Sequence, residues 1–321
     1  MGLPELIIGN LRARVPIIQG GMAVRISTAP LAAAVANEGG IGIIAGTGMT
    51  VEELKQEIRR ARELSRGIIG VNVMFAVKEF AALVLAALEE GIDLVISGAG
   101  FSRDIFSWGR RFNKPVVPIV SSDRLATTAE KLGAAAVIVE GGEAGGHLGT
   151  LVPTRELLPA VCKSVNIPVI AAGGILTGRD ILEVFSLGAS GVQMGTRFAA
   201  SVESNASEAF KRLYVEATEE DVVMIESSVG LPGQAIRNEF VEKLMAKASL
   251  EPWRCDCCLK KCSHEFCILK VLNNAQQGFL EEGLVFAGKS VSRIREILTV
   301  KEIFRRLLEE IEKGCRKEVN C

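Results

Sequence analysis

The residues best suited to chemistry lie in one stretch, residues 139–149, which reads Val-Glu-Gly-Gly-Glu-Ala-Gly-Gly-His-Leu-Gly. It contains Glu143 and also His147, one of only two histidines in 321 residues. Glycine lacks a Cβ atom and tolerates positive φ, so backbone amides in such a loop can approach a flat or anionic ligand. An imidazole titrates near neutral pH, which suits it to move a proton. The stretch therefore predicts a catalytic loop with His147 as the acid or base, although a simple glycine turn is the alternative.

Glycine-rich motifs also end other apolar runs of the chain. They are Gln19-Gly20-Gly21-Met22, Gly70-Val71-Asn72-Val73-Met74, Ala172-Gly173-Gly174-Ile175 and Gln193-Met194-Gly195-Thr196. A single Gly-Gly pair would indicate only a tight turn. In a (β/α)8 barrel, however, the loops after the last two strands commonly bind phosphate through their backbone amides. We therefore expect a cofactor that carries a phosphate group.

A third group of reactive side chains lies near the C-terminus. Five of the eight cysteines fall within thirteen residues: Cys255, Cys257, Cys258, Cys262 and Cys267. Four thiolates can hold an iron-sulfur cluster or a zinc ion. Cys258 and Cys262 would share one face of a helical turn, and we expect Cys267 as a third ligand. Either Cys255 or Cys257 would be the fourth, whereas buried cysteines without a metal are the alternative.

The elements that must position these residues follow a regular alternation of apolar, strand-like runs and amphipathic or Ala-rich runs. The predicted strands are residues 15–19, 41–45, 68–74, 93–97, 116–120, 136–140, 168–172 and 191–195. The predicted helices are residues 28–38, 51–64, 77–90, 102–112, 123–132, 154–165, 178–187 and 204–217. Eight consecutive βα units with glycines at the strand ends favour a (β/α)8 TIM barrel over a doubly wound sheet.

The alternation of strand-like and helical runs ends after the eighth βα unit. We therefore expect a domain boundary at that point. Residues 1–220 would form the barrel, and residues 221–298 a small additional domain that covers the substrate and carries the cysteine-rich segment. Residues 299–321 include a charged amphipathic stretch, which predicts a C-terminal helix on the outside of the barrel.

Composition limits the partners. The net charge is −1 and hydrophobic residues make up 48% of the chain. A nearly neutral chain has no basic field for phosphate backbones, so no nucleic acid partner is expected. No apolar run is long enough to span a bilayer, and the first residues do not read as a signal peptide. We expect a cytoplasmic protein that acts on a small molecule.

Taken together, five motifs resemble those of the nitronate monooxygenase family, formerly called 2-nitropropane dioxygenases, which includes FMN-dependent enoyl-[acyl-carrier-protein] reductases. They span residues 16–22, 70–74, 140–149, 171–175 and 193–198. The resemblance implies a barrel that binds FMN, with His147 at the position of the catalytic histidine. It implies cofactor contacts from Gln19, Gly20, Gly21, Met22, Asn72, Glu143, Gly145, Gly146, Gly173, Gly174, Gln193, Gly195 and Thr196. Of these, Gly173, Gly174, Gly195 and Thr196 would bind the phosphate. Its place in the loop suggests that Glu143 contacts the ribityl chain or orients His147, and a solvated loop carboxylate is the alternative.

The function expected from this resemblance is an FMN-dependent oxidoreductase of the nitronate monooxygenase type. The cysteine-rich segment departs from that pattern and resembles cluster-bearing relatives, so an iron-sulfur cluster is expected rather than zinc. It also raises an alternative, an enoyl- or acyl-[acyl-carrier-protein] reductase or dehydrogenase/isomerase of fatty-acid synthesis acting on an acyl thioester. A flavin redox sensor without turnover is a further alternative. NAD(P)H is a candidate electron donor. A homodimer is a candidate assembly.

Overall fold

The computed structural model describes residues 3–252 and 254–318, so both ends of the predicted domain division extend beyond the described part. Eight parallel strands close into a barrel, and a helix follows each of them, which confirms the predicted TIM barrel. The eight predicted strands agree with the observed ones to within two residues at either end.

The strands are β1 (Leu6–Ile8), β2 (Leu11–Ala13), β3 (Ile17–Gln19), β4 (Ile41–Ala45), β5 (Ile68–Met74), β6 (Leu94–Gly98), β7 (Val116–Val120), β8 (Val137–Glu140), β9 (Gly146–His147), β10 (Val169–Ala172), β11 (Gly191–Met194), β12 (Val222–Glu226) and β13 (Pro232–Ile236). The barrel runs in the order β3-β4-β5-β6-β7-β8-β10-β11 and closes between β11 and β3. The remaining strands form an N-terminal hairpin, β1-β2, and a separate antiparallel sheet in the order β12-β13-β9.

The α-helices are α1 (Ala29–Asn37), α2 (Val51–Leu64), α3 (Phe80–Glu89), α4 (Arg103–Phe112), α5 (Asp123–Leu132), α6 (Thr154–Ser164), α7 (Gly178–Ser186), α8 (Thr196–Ala199), α9 (Glu208–Glu216), α10 (Glu239–Met245), α11 (Ile268–Gln277) and α12 (Val300–Glu318). Helix α9 begins later than the predicted residue 204, because the Ser207 hydroxyl accepts a hydrogen bond from the Phe210 amide and caps the helix there.

Successive side chains along each strand point alternately into the barrel and out toward the helices. Ile18, Ile43, Ile96 and Ile138 belong to one buried cluster inside the barrel. The hairpin β1-β2 adds its own buried side chains to this cluster and so closes the N-terminal end of the barrel. Neighbouring positions on each strand point outward and pack against the surrounding helices. With one end closed, the C-terminal ends of the strands are left to build a site.

The chain after the barrel forms the β12-β13-β9 sheet, helices α10 and α11, and the long helix α12. Helix α12 packs against α7 and α1 on the outside of the barrel. The functional division into a barrel, a substrate-covering domain and a C-terminal segment stays a prediction. Within the described ranges, no helix is both long and apolar enough to cross a membrane.

Replacement of Phe304 tests how much α12 contributes to the stability of the barrel. Its ring is 1% exposed and lies 6.0 Å from the ring of Phe198. We expect Phe304→Ala to lower the free energy of unfolding by about 3 to 5 kcal/mol, as large truncations in cores do. The neighbouring Arg305 forms surface ion pairs with Glu302 and Glu309, and Arg305→Ala should cost under about 1 kcal/mol. If urea unfolding gave the same loss of unfolding free energy for Phe304→Ala and Arg305→Ala, α12 would not form part of the core.

Candidate active site

A cavity of about 230 Å³ lies at the C-terminal ends of the barrel strands and continues under the β12-β13-β9 sheet. The predicted site residues on its wall are Gly20, Gly21, Met22, Asn72, Glu143, Gly145, Gly146, His147, Gly173, Gly174, Gln193, Gly195 and Thr196. The fold thus brings together residues that are up to about 180 positions apart in the sequence. Their roles as cofactor ligands remain predictions.

Gln19 differs from its predicted role, because it does not belong to the cavity wall. Its side chain is fully buried, donates a hydrogen bond to the Ser27 hydroxyl at 2.9 Å and accepts one from the Ile43 amide at 3.1 Å. The Ser27 hydroxyl in turn accepts a hydrogen bond from the Met22 amide at 3.0 Å. Gln19 therefore supports the loop that carries Gly20, Gly21 and Met22, and its contact with a cofactor stays a prediction.

Gly173 and Gly174 form a turn at the end of β10 that only glycine adopts without strain. Their φ angles are +103° and +70°. A Cβ atom on Gly173 would lie 2.8 Å from the Thr154 Oγ1 atom, so a side chain would also collide with the start of α6. The bare backbone of this turn faces the cavity beside Gly195 and Thr196. Such an arrangement can approach a phosphate group closely.

Gln193 and Asn72 present amide groups to the same cavity from strands β11 and β5. Gln193 is 7% exposed, and its Oε1 atom has no hydrogen-bond partner among the described residues. A buried oxygen without a partner is costly unless a ligand supplies the donor. Gly21 leaves room for Asn72, since a Cβ atom at Gly21 would lie 2.5 Å from the Cβ atom of Asn72. These residues fit the polar edge of a flavin ring, which both donates and accepts hydrogen bonds.

His147 is placed by the sheet outside the barrel. Its backbone lies in β9, where it pairs with Gly233 of β13. Its Nε2 atom is hydrogen-bonded to the Ser227 hydroxyl at 2.8 Å. The Phe286 ring meets the imidazole edge to face, with 5.0 Å between ring centres. These contacts fix the orientation of the imidazole and leave it on the cavity wall.

Burial controls the charge of His147. Removal of the ring from water disfavours the imidazolium ion and lowers the pKa of His147 to about 4. At neutral pH the ring is therefore uncharged, with one nitrogen able to donate and the other able to accept a proton. A neutral imidazole can remove a proton from a substrate carbon or polarise a substrate oxygen.

Glu143 does not orient His147, which corrects one of its two predicted roles. Its carboxylate accepts hydrogen bonds from the Thr154 amide at 2.9 Å and the Thr154 hydroxyl at 3.2 Å. Thr154 begins helix α6, so the negative charge lies at a helix N-terminus, where it is stabilised. Contact of Glu143 with a cofactor stays a prediction, since Glu143 also lines the cavity.

Four residues that complete the site did not emerge from the sequence: Ser227, Gln234, Phe286 and Tyr214. The Gln234 side chain donates hydrogen bonds to the carbonyls of Gly142 and Ala144, at 2.6 and 2.7 Å, and so holds the loop that carries His147. Tyr214 donates to the Phe286 carbonyl, and Phe286 packs on His147. Gln234 is the one polar side chain in the strand Pro232–Ile236, a signal that sequence reading did not use.

The five cysteines lie outside this site and line a second cavity of about 200 Å³, together with His264, Lys78 and Lys260. The Cys255 and Cys262 sulfurs accept hydrogen bonds from the amides of Cys257 and His264, at 3.3 and 3.4 Å. Over residues 3–252 and 254–318, no three His, Cys, Asp or Glu side chains are positioned closely enough to hold a metal ion. Residues 258–262 form no helical turn, so the expected helix face shared by Cys258 and Cys262 is wrong. The five thiols line one cavity, and their role as ligands remains a prediction.

The sequence and the structure were each compared with known proteins. The family model described as nitronate monooxygenase matches residues 5–310. The 5-hydroxy-7a-methyl-1-oxo-octahydro-1H-indene-4-carboxyl-CoA dehydrogenase of Mycobacterium tuberculosis is 35% identical over 71% of this chain. That match covers 65% of the dehydrogenase, just under two thirds of its length.

Two solved structures are similar over almost the whole chain. FabK from Thermotoga maritima is 35% identical, with a TM-score of 0.85 over 96% of both chains. A nitroalkane oxidase from Streptomyces ansochromogenes is 26% identical, with a TM-score of 0.81 over 95% of this chain and 97% of that one. The barrel and the region after it are therefore shared with both proteins.

The buried imidazole predicts how stability depends on pH. Between pH 6.5 and about 4 the unfolded chain protonates His147 while the folded chain does not, so acid destabilises the folded state. The gap of about 2.5 pKa units corresponds to about 3 kcal/mol at pH 4. We expect His147→Asn to lose less stability than the wild type when urea unfolding is repeated from pH 7 to pH 4. His264→Asn, at an exposed position, is the control. If the unfolding free energies of the wild type and His147→Asn fell in parallel from pH 7 to pH 4, His147 would not be held neutral by burial.

Proposed function

The chain belongs to the nitronate monooxygenase family, and from this premise we propose that it is an FMN-dependent oxidoreductase with His147 as its acid or base. The observation that carries the proposal is the neutral imidazole of His147 on the wall of the cavity that also contains the Gly173–Gly174 turn. FMN, when bound, supplies a ring that accepts or donates electrons. The protein must then hold that ring and move a proton.

The residues of the cavity suit these tasks. Gly173, Gly174 and Thr196 would hold the phosphate of FMN, and Gln193 would pair its free Oε1 atom with a donor on the flavin. His147 would take a proton from the substrate or polarise it, with its ring held by Ser227. In this proposal residues 221–298 cover the substrate, since Leu284 and Phe286 supply apolar side chains to the cavity and help to exclude water.

An acyl thioester is a second candidate substrate, and one feature of the cavity favours it. Ile268, Leu269 and Leu272 form an apolar stripe along α11 and line the cavity together with Leu284. Such a wall suits an alkyl chain better than a small nitronate ion. The similar dehydrogenase of Mycobacterium tuberculosis acts on a carboxyl-CoA thioester, as its name states.

His147→Ala tests the proposed function. Denaturation of the wild-type protein should release FMN, and His147→Ala should still bind FMN because the phosphate site is separate. Its turnover should fall by roughly 100-fold or more, the usual contribution of a positioned acid or base. Leu151→Ala, which changes an exposed side chain outside the cavity wall, should keep the wild-type rate.

The substrates are compared under anaerobic conditions. Reduction of the bound FMN by NADH or NADPH, by a nitronate and by an acyl thioester is followed at the flavin absorbance. Fast reduction by one substrate class identifies it. Release of FAD, or a wild-type protein that binds no flavin, would contradict the proposal, and unchanged kcat and kcat/KM in His147→Ala would remove His147 from the mechanism.

We further propose that the cysteine cavity binds a metal centre, with iron-sulfur favoured over zinc by the resemblance to cluster-bearing relatives. Burial, followed by the neighbouring thiols Cys267, Cys262 and Cys255, raises the pKa of Cys258 to about 11. Without metal this thiol is therefore protonated at neutral pH, and a metal must displace the proton. Lys78 and Lys260 at the same cavity provide positive charge for a set of thiolates.

Metal content tests this second proposal. Protein purified without oxygen should contain iron and absorb visible light beyond the flavin bands. The double variant Cys258→Ser, Cys262→Ser should lose that iron. Cys162→Ser, which changes a half-buried cysteine on α6, should retain it. Wild-type protein with neither iron nor zinc, and with all five thiols free to react, would contradict the proposal.

A further inference from the structure

Glu140 places a carboxyl group in the active-site cavity, at the end of β8. It is the last residue of β8, where Ala136 and Ile138 belong to the buried cluster inside the barrel. Side chains alternate along a strand, so Glu140 also points inward, at the mouth of the barrel. Its side chain is partly exposed, and it lines the cavity that contains His147.

The surroundings of Glu140 supply no partner. Within the described part of the chain, its carboxyl group forms no hydrogen bond or ion pair, and burial alone raises its pKa to about 7. The flanking strands β7 and β10 carry only apolar side chains, Val-Val-Pro-Ile-Val and Val-Ile-Ala-Ala. A carboxylate in such a position is poorly solvated, so the group gains a proton unless a ligand provides a donor.

The other titratable groups that line the cavity do not form a hydrogen bond or an ion pair with Glu140. The Glu143 carboxylate is bound to Thr154, as described above. His147 is neutral because burial lowers its pKa to about 4. Burial raises the pKa of Tyr214, so its hydroxyl keeps its proton and donates to a backbone carbonyl. Glu140 is thus the group of this cavity whose charge changes near neutral pH.

We propose that Glu140 takes up one proton when FMN bound in this cavity is reduced, and so couples reduction of the flavin to pH. The proposal rests on the proposed function, since it requires bound FMN. Reduction with two electrons and one proton adds one negative charge to the flavin. A negative charge in the same cavity disfavours the Glu140 carboxylate further, so the carboxylate binds a second proton from solvent. Glu140 is therefore a positioning residue for charge, and His147 keeps its role at the substrate.

The pH range of the effect follows from these two states. Below about pH 6 Glu140 is protonated whether the flavin is oxidised or reduced, and reduction moves no proton at this site. Since burial raises the pKa of Glu140 to about 7, we expect it to be ionised beside the oxidised flavin above about pH 7. The proposal has it protonated beside the reduced flavin. Reduction then consumes one additional proton for each two electrons, which corresponds to about 30 mV per pH unit.

The midpoint potential of the bound FMN, measured with electrode-supplied electrons and mediators from pH 5 to pH 9, tests the proposal. Above pH 7 the potential of the wild type should fall more steeply than that of Glu140→Gln, by about 30 mV per pH unit. Below pH 6 the two slopes should agree. His147→Asn is the matched control and should retain the steep slope. Parallel plots for the wild type and Glu140→Gln over the whole range would overturn the proposal.

A second measurement uses the wild type alone, in case Glu140→Gln does not retain FMN. Infrared difference spectra at pH 8 should show the C=O stretch of a protonated carboxyl group appearing on reduction. No such band in FMN-loaded protein would also overturn the proposal. Wild-type protein that binds no FMN would overturn the proposed function together with this inference. FMN-loaded protein with parallel plots would overturn this inference alone.

Discussion

The arrangement of the site depends on the pairing of β9 with β13. Two residues of the loop after β8, Gly146 and His147, join a strand that belongs to the region after the barrel. Gln234 of the same strand holds two carbonyls of the loop, and Ser227 holds the imidazole. The barrel supplies the cavity, but the orientation of His147 comes from the chain that follows it. The loop after β8 and the β12-β13 hairpin are thus held together as one folded unit.

The same desolvation acts in opposite directions on two side chains of the cavity. It lowers the pKa of His147 to about 4, so that the imidazole is uncharged at neutral pH, and it raises the pKa of Glu140 to about 7. The Glu143 carboxylate instead accepts hydrogen bonds from Thr154 at the N-terminus of α6. A change of charge on a ligand bound beside these two poorly solvated groups is therefore weakly screened by water.

The cysteine segment is attached to both the barrel and the cavity. Val77, in the loop after β5, forms a bridge with Leu259, and the Lys260 ammonium lies 3.6 Å from the centre of the Phe75 ring. Cys267 immediately precedes α11, whose first residue, Ile268, lines both the cysteine cavity and the active-site cavity. The walls of the two cavities thus share the side chain of Ile268.

The sequence by itself determined the barrel, because eight apolar runs spaced by helical runs fit a closed parallel sheet and because the glycines fall at the strand ends. It also placed His147 and the Gly173–Gly174 turn in one site, since those strand ends share one face of the barrel. Only the tertiary structure decided the partner of His147, the capping role of Glu143 and the supporting role of Gln19. These depend on contacts between distant segments, such as Ser227 with His147, for which the local pattern carries no signal. The raised pKa of Glu140 is likewise a property of the folded barrel, because an isolated strand would leave its carboxyl group in water.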